Sequence, residues 1–262
     1  MIPQAAVTAW GTSRPWPSAE AIEQDLLLAR AIVEIYRHPL LRDELAFRGG
    51  TCLHQIHLAQ PRRYSEDLDF VRVSNTPIGP VYDALRDVAA TMGITDVQTV
   101  SGRYPKMRWR APATSDPQAL LRIKIEMNTF ETSPARAHIR IPFAVDSPSY
   151  FTGNADVLTF DPAELVATKL RALHQRKKGR DLFDLWLALT EMRLDPADIL
   201  AAFIPYRPDS RYTSVTALET FRGHLADAAF RGDLNLLVTS WPDGYDIDLA
   251  GQLIIDELLA KL

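Results

Sequence analysis

FRGGTCLHQIHLAQPRRYSEDLDF, residues 47–70, places two carboxylates, Asp67 and Asp69, one residue apart and downstream of a Gly-Gly-Thr. The preceding ELAFRGG reads as a short strand ending in glycine. TCLHQIHLA reads as a helix opening directly after it, and DLDFVRV as a second strand. Alternation puts Leu68 and Phe70 on one face of that strand and Asp67, Asp69 and Val71 on the other. Two anions so close repel unless something positive sits beside them. Magnesium suits the place, since it binds through one or two carboxylates together with substrate phosphates. Glycines at a helix start let the backbone approach a phosphate, and the first N–H groups point at it. Gly49, Gly50 and Thr51 are thus candidates to hold a triphosphate, and Asp67 and Asp69 to hold its metal. Taken singly, each part has a plainer reading: Asp-x-Asp as two solvated residues on an edge strand, Gly-Gly as a turn.

Around this segment the chain divides in two. Pro3 to Ser18 is rich in Pro, Trp and Ser and reads as a loop or arm. A helix follows from Ser18, a plausible N-cap, with Ile22, Leu26, Ala29, Ile32 and Val33 at helical spacing. A further helix is expected from Ile78 to Met92, capped by Gly93. KMRWRA, LLRIKIEMN and AHIRIPF alternate as strands, and three of them without intervening helices suggest an antiparallel or mixed sheet. Glu126, on the polar face of the second, is a third candidate acid. Three acids holding two metals suit in-line phosphoryl transfer, one metal activating the attacking oxygen and the other steadying the pyrophosphate. A cross-strand pair with a basic neighbour is the plainer role for Glu126. From Asp161 the pattern turns helical: Asp161 as N-cap, Pro162 at the first position and Glu164 three after the cap form a capping box. Loops are expected near Gly179, Pro196 and from Pro205 to Arg211. A soft boundary near Gly153 gives a mixed α/β half, 1–153, and a helical half, 154–262.

Composition bounds the function classes. The 262 residues carry a net charge of −4, so any nucleic-acid contact needs a local patch. The single cysteine, Cys52, excludes a disulfide framework or a Cys-rich zinc site within the chain and fits a reducing compartment. No basic flank with an apolar run opens the chain, and no stretch is apolar enough to span a membrane, so a cytoplasmic protein is expected.

The residues quoted first resemble the opening motif of the AbiEii/AbiGii nucleotidyltransferase toxins, a branch of the DNA polymerase β-like nucleotidyltransferases. The matching residues are Gly49, Gly50, Thr51, Arg63, Ser65, Asp67, Leu68, Asp69 and Phe70. IKIEMN, with Glu126, is similar to the second motif. LVATKLRAL, with Lys169 and Arg171, and RDLFDL, with Arg180, Asp181 and Asp184, are similar to the third and fourth. This chain has Gly49-Gly50 where polymerase β-like enzymes often have Gly-Ser, and Glu126 where Asp is frequent. The resemblance implies an α+β fold: an N-terminal nucleotidyltransferase domain with a mixed or antiparallel sheet and flanking helices, then a C-terminal helical domain contributing Lys169 and Asp184 to the cleft. It implies NMP transfer from an NTP with Mg²⁺ or Mn²⁺, nucleotide contacts from Ser65, Lys169, Arg180 and Asp181, and a separately encoded antitoxin. Relatives of known activity include MenT-type toxins that modify the 3′ end of tRNA and block aminoacylation. Others act in abortive phage infection.

Physical reading of the helical half adds detail. Lys169 is either a phosphate contact or a snorkelling surface lysine. Asp181 and Asp184 share a helix face, and Arg180 with Asp184 is a possible intrahelical pair. Arg171, Arg176, Lys177 and Lys178, and separately Arg108 and Arg110 beside Tyr104 and Trp109, are candidate RNA contacts or else solvated charge. His54 and His57 have no zinc-type spacing and are expected to be structural or surface. The acceptor expected is RNA, with tRNA foremost. A protein or small-molecule acceptor, and a nucleotide-binding module without turnover, are the alternatives.

Overall fold

The computed structural model describes every residue except 15, 115, 117, 132 and 210. The chain forms two compact units, residues 1–134 with 138–160 and residues 135–137 with 161–262.

In the first unit the elements run α1 (Gln4–Gly11), α2 (Ala19–Arg37), α3 (Leu41–Glu44), β1 (Leu45–Arg48), α4 (Gly49–Cys52), β2 (Asp67–Arg72), α5 (Gly79–Thr91), β3 (Asp96–Val100), β4 (Lys106–Pro112), β5 (Leu120–Asn128), β6 (Ile139–Ser147) and β7 (Phe151–Thr159). The strands form one mixed sheet in the order β3-β4-β5-β2-β1-β7-β6. β2 runs parallel to β5 and antiparallel to β1, so the acid-bearing strand lies inside the sheet, not at its edge. α2 opens on Ser18, whose side chain accepts from Ala21 N at 3.1 Å. Its Leu26, Leu28, Ile32 and Ile35 are buried. Alternation puts Met107 and Trp109 of β4 and Ile123, Ile125 and Met127 of β5 in the core. Each such side chain contributes roughly 1.5–3 kcal/mol by leaving water.

Several expectations are corrected here. Residues 3–18 are not all loop, because α1 buries Ala6 and Val7 and Trp10 Nε1 donates to Asp25 Oδ2 at 2.8 Å. Pro15, within the expected arm, lies outside the described residues. Val71 does not share an open face with the two aspartates. On an inner strand covered on both sides beyond its first turn of alternation, it is 1% exposed. The helix after β1 starts at the glycines themselves and widens into a π-wound turn over Leu53–His57. β3 and β7 lie outside the three strands that alternation predicts, and Gly153, Asn154 and Asp156 give β7 the look of a turn. β7 passes through Gly153, and the division between the units falls after Phe160. α5 keeps to its expected span within one residue at each end, with Gly93 at φ +77° after it.

The second unit is helical: α6 (Pro162–Gln175), α7 (Gly179–Thr190), α8 (Pro196–Phe203), α9 (Ser214–Leu225), α10 (Ala228–Gly232) and α11 (Ile247–Glu257), with short 3-10 turns at Ile204–Tyr206 and Leu259–Lys261. Ser210, in the expected 205–211 loop, lies outside the described residues. Asp161 caps α6 by accepting from Ala163 N and Glu164 N. Glu164 does not complete a capping box. Its buried carboxylate accepts from Ala135 N at 2.7 Å, Arg136 N at 2.9 Å and the Tyr206 hydroxyl at 2.5 Å. That carboxylate is why residues 135–137 belong with the helices, since leaving it buried without donors would cost several kcal/mol. Among the described residues no helix is long and apolar enough to cross a membrane.

Candidate functional site

The first unit gathers its motif residues at one end of β1, β2 and β5. β1 ends at Arg48, whose Nη1 lies 2.6 Å from Glu131 Oε2. Gly49 turns the chain at φ +85°, a region that an L side chain rarely adopts, and a Cβ there would run into Asp69 Oδ2. A Cβ on Gly50 would lie 2.5 Å from Arg63 Nη2 and 3.0 Å from Ser65 Oγ. Both glycines are therefore fixed by close approach: Gly49 by the second aspartate, Gly50 by the arginine and serine of the same motif. Thr51 Oγ1 donates to the Asp67 carbonyl at 2.6 Å and lies 2.9 Å from Ser65 Oγ. The segment between the glycines and the aspartates is thus closed on itself. His54 Nδ1 accepts from Arg62 N at 3.1 Å, and His57 Nε2 lies 3.1 Å from Thr159 Oγ1. Cys52 is buried 3.1 Å from that same threonine hydroxyl. His57 and Cys52 hold the turn against β7, and His54 ties it to the loop that follows.

Register decides what the aspartates face. Asp67 is opposite Lys124 and Asp69 opposite Glu126 across the parallel β2–β5 pair. On the next strand Lys106 is opposite Glu126, Arg108 opposite Lys124 and Arg110 opposite Arg122. Side-chain alternation therefore brings three acids and five cations onto one face. Lys124 Nζ lies 2.9 Å from Asp67 Oδ2 and 3.2 Å from Glu126 Oε1, and Lys106 Nζ lies 2.7 Å from that Glu126 oxygen. Partial burial alone would raise the Glu126 carboxyl, but hydrogen bonds from Lys106 and Lys124 outweigh it and hold it below the usual value. Burial would likewise lower Lys124, yet its bonds to Asp67 and Glu126 leave it raised. Glu126 is therefore a member of a cross-strand ion cluster. A cleft of about 820 Å³ opens beside Asp67, lined among others by Tyr64, Arg108, Arg110, Arg122 and Lys124.

Among the described residues no group of three His, Cys, Asp or Glu side chains is placed to hold a metal ion. The donor set fits a metal held in part by substrate: Asp67 at the rim of the cleft and Asp69 two residues on along the same strand face, with phosphate oxygens left to complete the sphere. Gly49 lacks the side chain that would collide with the Asp69 carboxylate, so the turn can pack close to it.

The second unit builds a buried charge cluster of its own. Lys169 Nζ lies 2.8 Å from Asp184 Oδ2 and 3.9 Å from Asp181 Oδ1, and the lysine side chain is only 5% exposed. Arg176 clasps Asp181 through Nε at 2.7 Å and Nη2 at 2.8 Å. Lys169 is thus neither solvated nor snorkelling. The expected Arg180–Asp184 pair does not form, because Arg180 Nε turns to Asp233 Oδ2 at 3.1 Å. Gly179, against the Phe230 carbonyl, lets α7 start there. Lys177 pairs with Asp227 at 2.6 Å and Lys178 with Asp233 at 3.5 Å. The Arg171 guanidinium lies over the Tyr206 ring, 5.4 Å from its centroid. So the basic run 176–180 is matched by carboxylates of its own unit, whereas Arg108 and Arg122 stand exposed on the sheet face. Lys124 and Arg122 are not among the residues that the motifs and basic stretches of the sequence single out. Their period-two placement beside Glu126 was the signal that could have found them.

A sequence model described as "Nucleotidyl transferase AbiEii toxin, Type IV TA system" matches residues 30–243. No curated protein matches the chain. Among solved structures, the chain is similar in fold to JHP933 from Helicobacter pylori at 17% identity and a TM-score of 0.53, with 93% of this chain and 95% of that one covered. MenT4, a nucleotidyltransferase toxin from Mycobacterium tuberculosis H37Rv, is similar at 18% identity and a TM-score of 0.51, covering 97% of this chain and 99% of that one. A putative nucleotidyltransferase from H. pylori gives 17% and 0.51 over 94% and 99%. The match spans the glycine turn, both aspartates, Glu126 and the Lys169 cluster, and the chain belongs to the AbiEii family of nucleotidyltransferase toxins of type IV toxin–antitoxin systems.

Proposed function

We propose that the protein transfers a nucleoside monophosphate from an NTP to the 3′ end of an RNA, tRNA foremost, and that this modification stops translation. The observation that carries the reading is the pair Asp67 and Asp69 on one face at the start of an inner strand, closed against Gly49, Gly50 and Thr51, with Asp67 opening on a cleft that also carries Arg108, Arg110, Arg122 and Lys124. As a toxin of a type IV system it has an NTP substrate and a cognate antitoxin. Asp67 and Asp69 would hold Mg²⁺ or Mn²⁺, which supplies charge stabilisation for the attacking and leaving oxygens when bound. Gly49, Gly50, Thr51 and Ser65 would bind and orient the phosphate chain at the turn that opens α4. The acceptor hydroxyl oxygen bonds to the α-phosphorus as the bond to pyrophosphate breaks, and its proton leaves to solvent. Lys169 enters through the family likeness as the phosphate-binding charge, with Asp184 orienting its ammonium and Asp181 held in turn by Arg176. Arg108, Arg110 and Arg122 favour a polyanionic acceptor over a protein or a small molecule.

The test is incubation with each labelled NTP, Mg²⁺ and total RNA, then a gel and sequencing of RNA 3′ ends. Label on RNA that is lost in Asp67→Ala and Asp69→Ala is the expected result. Label on protein, or unchanged RNA ends during growth arrest, would remove the RNA acceptor while leaving the transfer chemistry standing.

A further inference from the structure

Lys124 occupies a position that the proposed reaction does not use. It is the register partner of Asp67, and its Nζ lies between Asp67 Oδ2 at 2.9 Å and Glu126 Oε1 at 3.2 Å. Glu126 has a second cation in Lys106, at 2.7 Å, so the glutamate does not depend on Lys124. The Lys124 and Asp67 side chains keep 36% and 41% of their surface exposed, so packing does not lock this contact. A lysine stem of four carbons can swing its charge by several ångströms. The cleft into which it can swing carries Arg108, Arg110 and Arg122 together with Glu20 and Glu66. A divalent ion on Asp67 would stand a few ångströms from the ammonium, and like charges at that range repel strongly in a half-buried site.

We propose that Lys124 is the resident counter-ion of Asp67: it gives up that carboxylate when a divalent cation binds, and then holds the phosphate chain that arrives with the cation. This rests on the reading of Asp67 as a metal-holding carboxylate. In the resting protein Lys124 offsets the repulsion among Asp67, Asp69 and Glu126 without a metal. In the loaded protein it moves toward the anion that the metal brings. The two roles predict opposite changes when its charge is removed. A bare cation gains, and a phosphate chain loses.

The experiment uses the full chain and two probes that need no turnover. Mn²⁺ alone is titrated by the loss of its free-ion magnetic resonance signal, and magnesium tripolyphosphate by calorimetry. Lys124→Met is expected to bind Mn²⁺ about three- to tenfold more tightly and tripolyphosphate at least about threefold more weakly. Lys124→Arg keeps the charge and should stay close to the wild-type protein for Mn²⁺. Lys106→Met, whose ammonium contacts Glu126, should gain less than Lys124→Met. If Mn²⁺ binding depends on Asp67 but Lys124→Met leaves it unchanged or weakens it, the counter-ion role is overturned and the Asp67 site stands. Equal gains in Lys124→Met and Lys106→Met would also overturn it, by reducing the effect to general charge. If Asp67→Asn binds Mn²⁺ as well as the wild type, the metal reading of Asp67 falls and the inference with it.

Discussion

Gly49 shows how far one residue's conformation reaches. Its φ of +85° and the closeness of Asp69 Oδ2 are independent constraints, one on the backbone and one on space. Gly49→Ala should therefore destabilise the fold by about 1–3 kcal/mol, read from urea unfolding. Part of that loss is strain at φ and part is the clash. Adding Asp69→Ala should recover the clash portion, so the double mutant will be more stable than the sum of the singles predicts. Strict additivity would assign the whole cost to the backbone. Glu126 makes a second prediction at this scale. Its pKa is depressed by the two lysines, so its contribution to stability is fully present above the ordinary glutamate value of 4.5 and is lost as pH falls through the lower folded value. The stability gap between wild type and Glu126→Gln should accordingly be constant at neutral pH and shrink below about pH 4.5. A gap that widens on acidification would contradict the ion cluster.

At the scale of elements, α6 and α7 are joined by charge as much as by apolar packing. Lys169 on one and Asp184 on the other are buried together, with Asp181 and Arg176 completing two cations and two anions. Removing one member leaves an uncompensated buried charge, so Lys169→Ala should lower stability by about 3–5 kcal/mol as well as transfer. Activity loss alone therefore cannot assign Lys169 to phosphate binding. Lys169→Ala with Asp184→Ala should recover much of the melting temperature while transfer stays absent. Recovery of transfer along with stability would make the lysine structural. The basic run from Arg176 to Arg180 belongs to the same account. It looks like a nucleic-acid patch in the sequence, and its members are paired to Asp181, Asp227 and Asp233.

For the whole molecule, the consequence is where a polyanion can bind a chain of net charge −4. The sheet face of the first unit carries arginines from β4 and β5 in register, and the basic run 176–180 of the second unit is matched by Asp181, Asp227 and Asp233. Replacing Arg108 and Arg122 together by Ala should weaken RNA binding more than replacing Lys177 and Lys178, measured by filter binding or fluorescence anisotropy. The wild-type affinity should fall steeply as salt rises, and the double arginine variant should show a shallower slope by about two units of counterion release. An equal or larger loss from the 177–178 pair would return the RNA contact to the helical unit.

The residues 47–70 by themselves determined the glycine turn and the paired carboxylates, because each is a local pattern, a glycine-opened helix and a period of two; the family was legible from four such motifs in order, out to RDLFDL at 180–185. Capping at Ser18 and Asp161 and the alternation of β4 and β5 are local in the same sense. What the sequence could not carry is long-range pairing. Only the tertiary structure put Lys124 against Asp67, because they are 57 residues apart and meet through the parallel register of β2 and β5. Only it turned Glu164 from a cap into the acceptor that ties residues 135–137 to the helices. Only it buried Val71 beside two half-exposed aspartates, since an inner strand is covered by whatever the rest of the chain lays on it. Local propensity and alternation fix which side chains share a face. The partners on that face, and hence its charge and burial, are fixed by strands and helices distant in the sequence.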